Sequence, residues 1–193
     1  MKRVLIVYAT REGHSRRIAA HLAGSVQSHG ISTEIVDAAK IPPGFSMESY
    51  SAAILIASVH IKRHEPEMIR FVKFHKYELE RIPTAFVSVS LSQAGVEDPK
   101  APLQRREQAA SDVNALIEAF CAKTGWRATR TKAVAGALLY TKYNFLVRFV
   151  MKQIARKAGG PTDTSKDYEF TDWAALDLFV ATLVESLARG QPA

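Results

Sequence analysis

Val4-Leu5-Ile6-Val7-Tyr8-Ala9-Thr10-Arg11-Glu12-Gly13-His14-Ser15 is the stretch that decides the fold. Its first half is a continuous apolar run, the pattern of a strand buried on both faces of a parallel sheet. Its second half is small and polar. Directly after it, Ile18, Leu22 and Val26 recur every four residues with Ala19 and Ala23 beside them, which predicts a helix. A strand that passes through a short glycine-bearing loop straight into a helix opens a crossover unit. Such a loop aims backbone N–H groups and the positive end of a helix dipole at one point. Hydroxyls of Thr10 and Ser15 add hydrogen bonds and Gly13 permits close approach, so the loop suits a phosphate monoester. A plainer reading stands beside that one: Ser15 as helix N-cap behind a turn glycine. Neither the G-x-G-x-x-G dinucleotide fingerprint nor a P-loop lysine motif is present.

Outward from this unit the same alternation continues. Ser32-Thr33-Glu34-Ile35-Val36 alternates like an edge strand, while Ala52 to Ala57 and Thr84 to Val89 repeat the buried type. A fifth strand candidate runs from about Thr129 to Gly136. Helical spacing fills the gaps. Pro66 opens a pattern through Ile69, Val72 and Leu79, and another carries Ala109, Val113, Leu116, Ile117 and Phe120. The last has Thr171 as N-cap, then Leu176, Phe179, Val180, Leu183 and Leu187. The fold class is therefore α/β with a parallel sheet, and residues 1–193 read as one domain without repeat or linker. Leu139 to Phe170 breaks the alternation, being far longer than a usual connection. Within it Asn144 to Ala158 reads as a helix stopped by Gly159-Gly160-Pro161. In open α/β sheets ligands sit beyond the carboxyl ends of the strands. The loops expected to meet there are Thr10 to Ser15, Ser58 to His64 and Ser90 to Gly95.

Composition narrows the setting. The single cysteine, Cys121, cannot form an intramolecular disulfide, which points to a reducing cytoplasm, and it sits in an apolar helical pattern as a packing residue. The N-terminal apolar run is too short for a signal peptide, and no apolar run reaches the ~20 residues needed to span a bilayer. A net charge of +7 invites an anionic partner, whether nucleic acid, anionic lipid or a carboxylate-bearing ligand. No nucleic-acid recognition motif accompanies the charge. The six histidines are scattered and form no recognisable metal-ligand set.

With these residues in view, the chain resembles the flavodoxin superfamily. Within it, the chain is most similar to the bacterial flavodoxin-like, quinone-dependent protoporphyrinogen IX dehydrogenases. The resemblance rests on Thr10 to Ser15, on Ala57-Ser58-Val59-His60, and on Ala85-Phe86-Val87-Ser88-Val89. Its most restricted part is the tail: Ala135-Gly136-Ala137-Leu138-Leu139-Tyr140, then Gly159-Gly160-Pro161-Thr162-Asp163-Thr164 and Tyr168-Glu169-Phe170-Thr171-Asp172-Trp173. The resemblance implies a doubly wound five-stranded parallel sheet in the order 2-1-3-4-5, with a helical insertion before the last helix. It further implies noncovalent FMN and oxidation of protoporphyrinogen IX to protoporphyrin IX in haem biosynthesis, electrons passing in pairs through the flavin to a membrane quinone.

Carried onto this chain, the resemblance assigns Thr10, Arg11, Glu12, Gly13, His14 and Ser15 to the FMN phosphate. Ser58, Val59, His60, Ile61 and Lys62 border one side of the isoalloxazine, and Val89, Ser90, Leu91 and Ser92 the other. Glu12 stands where electron-carrier flavodoxins commonly have threonine, as in the dehydrogenase branch. His60 and Ile61 stand where a stacking aromatic is expected. His60 and His64 are candidates for moving protons, because histidine titrates near neutrality. Lys62 and Arg63 are candidates for receiving substrate propionates; as an ordinary exposed loop they would do neither.

The insertion has two readings. Arg148, Lys152 and Arg156 fall on one helical face beside Phe145, Leu146, Phe149, Val150, Met151 and Ile154, which suits an interfacial helix on an anionic membrane. The same pattern also suits a helix packed on its own domain with a solvated basic face. Tyr140 and Tyr143 line a tetrapyrrole site, anchor at the interface, or pack. Two other functions stay open: a flavodoxin-like electron carrier or general quinone reductase, and a flavin-free binding module. The charge argues against the first, since such carriers are usually acidic, and the intact phosphate loop against the second. Homo-oligomerisation is left open.

Overall fold

A computed structural model describes residues 3–157 and 159–189; Met1, Lys2 and Ala158, the expected last residue of the insertion helix, lie outside them. Five parallel strands form the centre: β1 (Arg3–Ala9), β2 (Ser32–Asp37), β3 (Ala52–His60), β5 (Thr84–Ser90) and β6 (Arg130–Ala135). Their order is β2-β1-β3-β5-β6, the expected doubly wound arrangement. The apolar runs sort cleanly by parity, as successive residues of a strand point to opposite faces. Val4, Ile6, Ile54, Ile56 and Val87 face α1 (His14–Ser28) and α7 (Trp173–Arg189). Leu5, Val7, Leu55 and Phe86 face α2 (Pro66–Phe74), α3 (Lys76–Leu79) and α5 (Leu103–Thr124). Half-buried Cys121 lies on α5, and burial pushes its thiol up.

Four features depart from the sequence expectations. A short strand β4 (Arg63–His64) folds back antiparallel on the end of β3, so the loop after β3 is a hairpin. The helix opened by Pro66 breaks at His75, whose buried ring packs among Phe45, Phe71 and Phe74. The stretch after β5 is a helix, α4 (Leu91–Glu97), and not a loop. It has no buried residue and a central glycine, so it offers no apolar period; the Ser90 hydroxyl caps it by accepting from Gln93 N–H at 3.2 Å. At α7 the cap is Asp172, which accepts from Ala175 N–H at 2.9 Å, and not Thr171.

The insertion is ordered by its own small core. Strands β7 (Ala137–Leu138) and β8 (Tyr168–Glu169) pair antiparallel and close its two ends. Between them lie a 3-10 turn (Tyr140–Lys142) and α6 (Phe145–Lys157). Leu138, Leu139, Tyr140, Tyr143 and Ala155 form the buried cluster. Tyr140 is fully buried and donates its hydroxyl to the Pro161 carbonyl at 2.9 Å. Arg148 turns inward and donates to the carbonyls of Tyr140 and Tyr143 at 2.9 and 3.0 Å. Arg148 therefore leaves the basic stripe expected for a membrane face, while Lys152 and Arg156 remain exposed. Tyr140 and Tyr143 serve packing, one of the roles the sequence left open.

Candidate functional site

The loop after β1 is built around Gly13, whose φ of +89° is left-handed and favours glycine. Its N–H donates to Thr10 Oγ1 at 3.0 Å, and α1 starts at the next residue. Gly13, and not Ser15, is thus the N-cap. Ser15 lies inside the first turn, fully buried, and its hydroxyl has no hydrogen-bond partner among the described residues. A buried hydroxyl left unpaired costs about 1–3 kcal/mol. At the positive end of a 15-residue helix it is an open donor for an anionic oxygen.

His14 backs this loop. Thr171 donates its hydroxyl to the Ala135 carbonyl at 2.7 Å, so it must accept from His14 Nε2–H, also 2.7 Å away. That fixes the tautomer and leaves Nδ1 a buried acceptor without a partner among the described residues. Burial holds the His14 imidazole below its ordinary pKa, and so neutral at pH 7. The insertion reaches the same loop from 130 residues away: Lys142 Nζ donates to the Glu12 carbonyl at 2.9 Å. A Cβ added at Gly13 would stand 3.9 Å from that ammonium. The loop therefore carries a backbone nest, a free hydroxyl and a cation, the donor set for a phosphate dianion.

At the end of β3 the hairpin turns in two residues, Ile61 at φ +46° and Lys62 at φ +57°. Two positive φ values match a type I′ turn, which normally takes Asn-Gly. A β-branched residue there is strained, and Ile61 is nonetheless 90% exposed. Below the turn, the side chain of Glu65 is only 4% exposed and holds three partners. Arg11 Nε lies 3.2 to 3.3 Å from its two oxygens, His60 Nε2 3.4 Å away, and Ser58 Oγ 3.4 Å away. His60 also lies 3.0 Å from Glu12 Oε2, so the carboxylate beside the phosphate loop is engaged. One buried carboxylate thus ties the loop after β1 to the loop after β3. His64 is a different kind of residue. It is buried between Phe86 and Phe120, bonded to Ser88 Oγ at 2.8 Å, and burial lowers it to about 4. Neutral and enclosed, it is a core histidine and not the proton carrier the sequence allowed.

The third wall is the start of α4. Val89 and Ser90 are buried, with Ser90 spent on its cap, while Leu91 and Ser92 are half-buried and line a large cavity. The sequence residues 10–15, 58–62 and 90–92 thus meet at one edge of the sheet. Lys62 and Arg63 instead flank a separate cavity of about 240 Å³ against Lys123 and Phe120 of α5. Lys142, Glu65 and Thr171 are site residues that the sequence did not reveal. Lys142 and Thr171 reach the loop only through tertiary contact, and Glu65 carried only the signal of a charge just before a helix-opening proline.

The family model for the flavodoxin domain matches residues 5–165. The protoporphyrinogen IX dehydrogenase (quinone) of Escherichia coli strain K12 is 31% identical over 171 residues, 89% of this chain and 88% of that one. The enzyme of the same name from Leishmania major is 28% identical over 178 residues, 92% of this chain and 72% of that one. Among solved structures, a short-chain flavodoxin associated with a non-canonical PDU bacterial microcompartment superposes with a TM-score of 0.56 at 14% identity, covering 97% and 99% of the two chains. Strand order, phosphate-type loop and family match agree: the chain belongs to the flavodoxin domain family.

Proposed function

We propose that this chain is an FMN-dependent dehydrogenase that oxidises protoporphyrinogen IX and delivers the electrons to a quinone at an anionic membrane surface. The observation that carries the reading is the likeness to the E. coli dehydrogenase, which covers 89% of the chain at 31% identity. The residues fit the cofactor. Ser15 Oγ and the backbone of Gly13 to Ser15 hold the phosphate, with the Lys142 ammonium beside them. His60, Ile61 and Leu91 flank the ring, and Glu65 keeps the two loops in register. Bound FMN supplies the electron-pair chemistry; the protein supplies binding, orientation and electrostatics.

Membrane contact falls to α6, whose exposed side carries Phe145 at 86%, Leu146 at 61% and Phe149 at 60% exposure. Lys152 and Arg156 accompany them, the pairing of apolar and cationic groups that suits anionic lipid. No described helix is long and apolar enough to cross a membrane, so this contact is superficial.

The test is anaerobic addition of protoporphyrinogen IX to the FMN-loaded protein, then a quinone. Flavin absorbance that bleaches and recovers, with protoporphyrin fluorescence appearing, supports the reading. Flavin that ignores porphyrinogen but cycles with other donors points to a general quinone reductase. Sedimentation with anionic vesicles, weakened by Phe145→Ser and Phe149→Ser, tests the membrane face; concentration-dependent dimerisation through the same residues would refute it.

A further inference from the structure

A cavity of about 1130 Å³ lies away from the phosphate loop. It opens beside the first turn of α4, at Leu91 and Ser92, and runs between the α4–α5 pair and the insertion. Ligand pockets commonly run to about 300–1,000 Å³, so this space has room for a molecule at or above drug size. Its walls are apolar where the insertion meets the fold, through Leu138, Ile154 and Phe170.

Its walls carry charges of both signs. Glu97 accepts from Gln93 at 2.9 Å, Asp98 from Lys100 N–H at 2.9 Å, and Asp112 from Gln108 at 3.0 Å. Each acid therefore has a local neutral donor and keeps its negative charge. The cations Arg105 and Lys157 gather at the insertion's turn: a Cβ added at Gly159 would stand 2.9 Å from Arg105 Nη1, and Lys157 is two residues earlier. Two cations thus stand together where the insertion closes the cavity, and Leu91 and Ser92 of the same lining belong to the α4 turn that walls the flavin position.

We propose that this cavity is the substrate site, and that it takes a macrocyclic tetrapyrrole with its carboxylates toward Arg105 and Lys157 and its ring toward Leu91. The assignment rests on the dehydrogenase reading above and adds the place and orientation of the substrate. It also gives the insertion a second role. Because α6 and the turn at Gly159 form one whole wall, the substrate's seat exists only when the insertion is docked. The carboxylate-binding role moves from Lys62 and Arg63 to Arg105 and Lys157.

The test uses protoporphyrin IX, read by the shift of its strong near-ultraviolet band, and FMN, read by fluorescence quenching, on the same full-length variants. Gln108→Trp fills the cavity from an exposed helix position, and Ile154→Glu places an anion on the opposite wall. Both are expected to weaken protoporphyrin at least tenfold and leave FMN affinity within twofold. Arg105→Glu is expected to weaken protoporphyrin but not its dimethyl ester, which has no free carboxylate. Normal protoporphyrin affinity in all three variants would overturn the assignment while leaving the dehydrogenase reading intact. Wild-type protein that neither binds protoporphyrin nor oxidises porphyrinogen would overturn both.

Discussion

Replacing Ile61-Lys62 by Asn-Gly should make the protein more stable and a poorer flavin binder. Both residues sit at positive φ, and a left-handed conformation costs a non-glycine residue roughly 1–2 kcal/mol. Ile61, β-branched, lies at the upper end of that range and gives up no packing when removed, because it is 90% exposed. Asparagine recovers about 1 kcal/mol at the first position, and glycine a further few tenths after its own entropic cost. At roughly 2–4 °C per kcal/mol for a chain of this size, the midpoint of thermal unfolding of the FMN-free protein should rise by about 3–5 °C. The opposite sign is expected for the cofactor. In the proposed site this exposed, strained isoleucine contacts the ring, and losing roughly half the ~3 kcal/mol of a fully buried side chain should weaken FMN about tenfold. Thermal melts followed by circular dichroism and FMN titration by fluorescence quenching read the two effects separately. An unchanged or lower melting point would refute the strain argument, and unchanged FMN affinity would refute the role of Ile61 as a wall.

His64, held at about 4 against an ordinary 6.5, is favourable to the fold only while neutral. Its contribution is complete above pH 6.5 and is lost as pH falls toward 4, so going from pH 7.5 to 5 should cost about 2 kcal/mol. Urea unfolding at the two pH values should show this loss, and His64→Gln should remove most of it. Glu65→Gln keeps the shape but not the charge that holds Arg11. We expect a stability loss of about 1–2 kcal/mol, discounted for the exposure of Arg11, and a several-fold weaker FMN, both measurable on one preparation.

The parts of the fold visible in the chain were those with a period. Val4 to Ala9 and Ala52 to Ala57 announce buried strands by apolar continuity, and Ile18, Leu22 and Val26 announce α1 by spacing. What stayed hidden had no period to show. Helix α4 has no fully buried residue to give it a period, being capped by Ser90 and packed on α5; β4 is two residues long and exists because β3 extends to His60 to meet it. The site divides the same way. The glycine loop after β1 was readable because strand, glycine and helix adjoin in sequence. Its partners were not, because Lys142 and Thr171 come to it across the whole fold. Arg148 misled for a related reason: helical spacing placed it on the basic stripe, but only the 3-10 turn before α6 supplies the carbonyls that draw it inward.

Everything proposed for the site depends on the loop from Thr10 to Ser15 gripping a flavin by its phosphate. Parallel titrations of the cofactor-free protein with FMN and with riboflavin, which lacks only that phosphate, probe this grip most directly. FMN should bind at least a hundredfold tighter than riboflavin, with Ser15→Ala and Lys142→Ala each narrowing the gap about tenfold by weakening FMN alone. Equal affinity for the two flavins, or variants that weaken both alike, would contradict it.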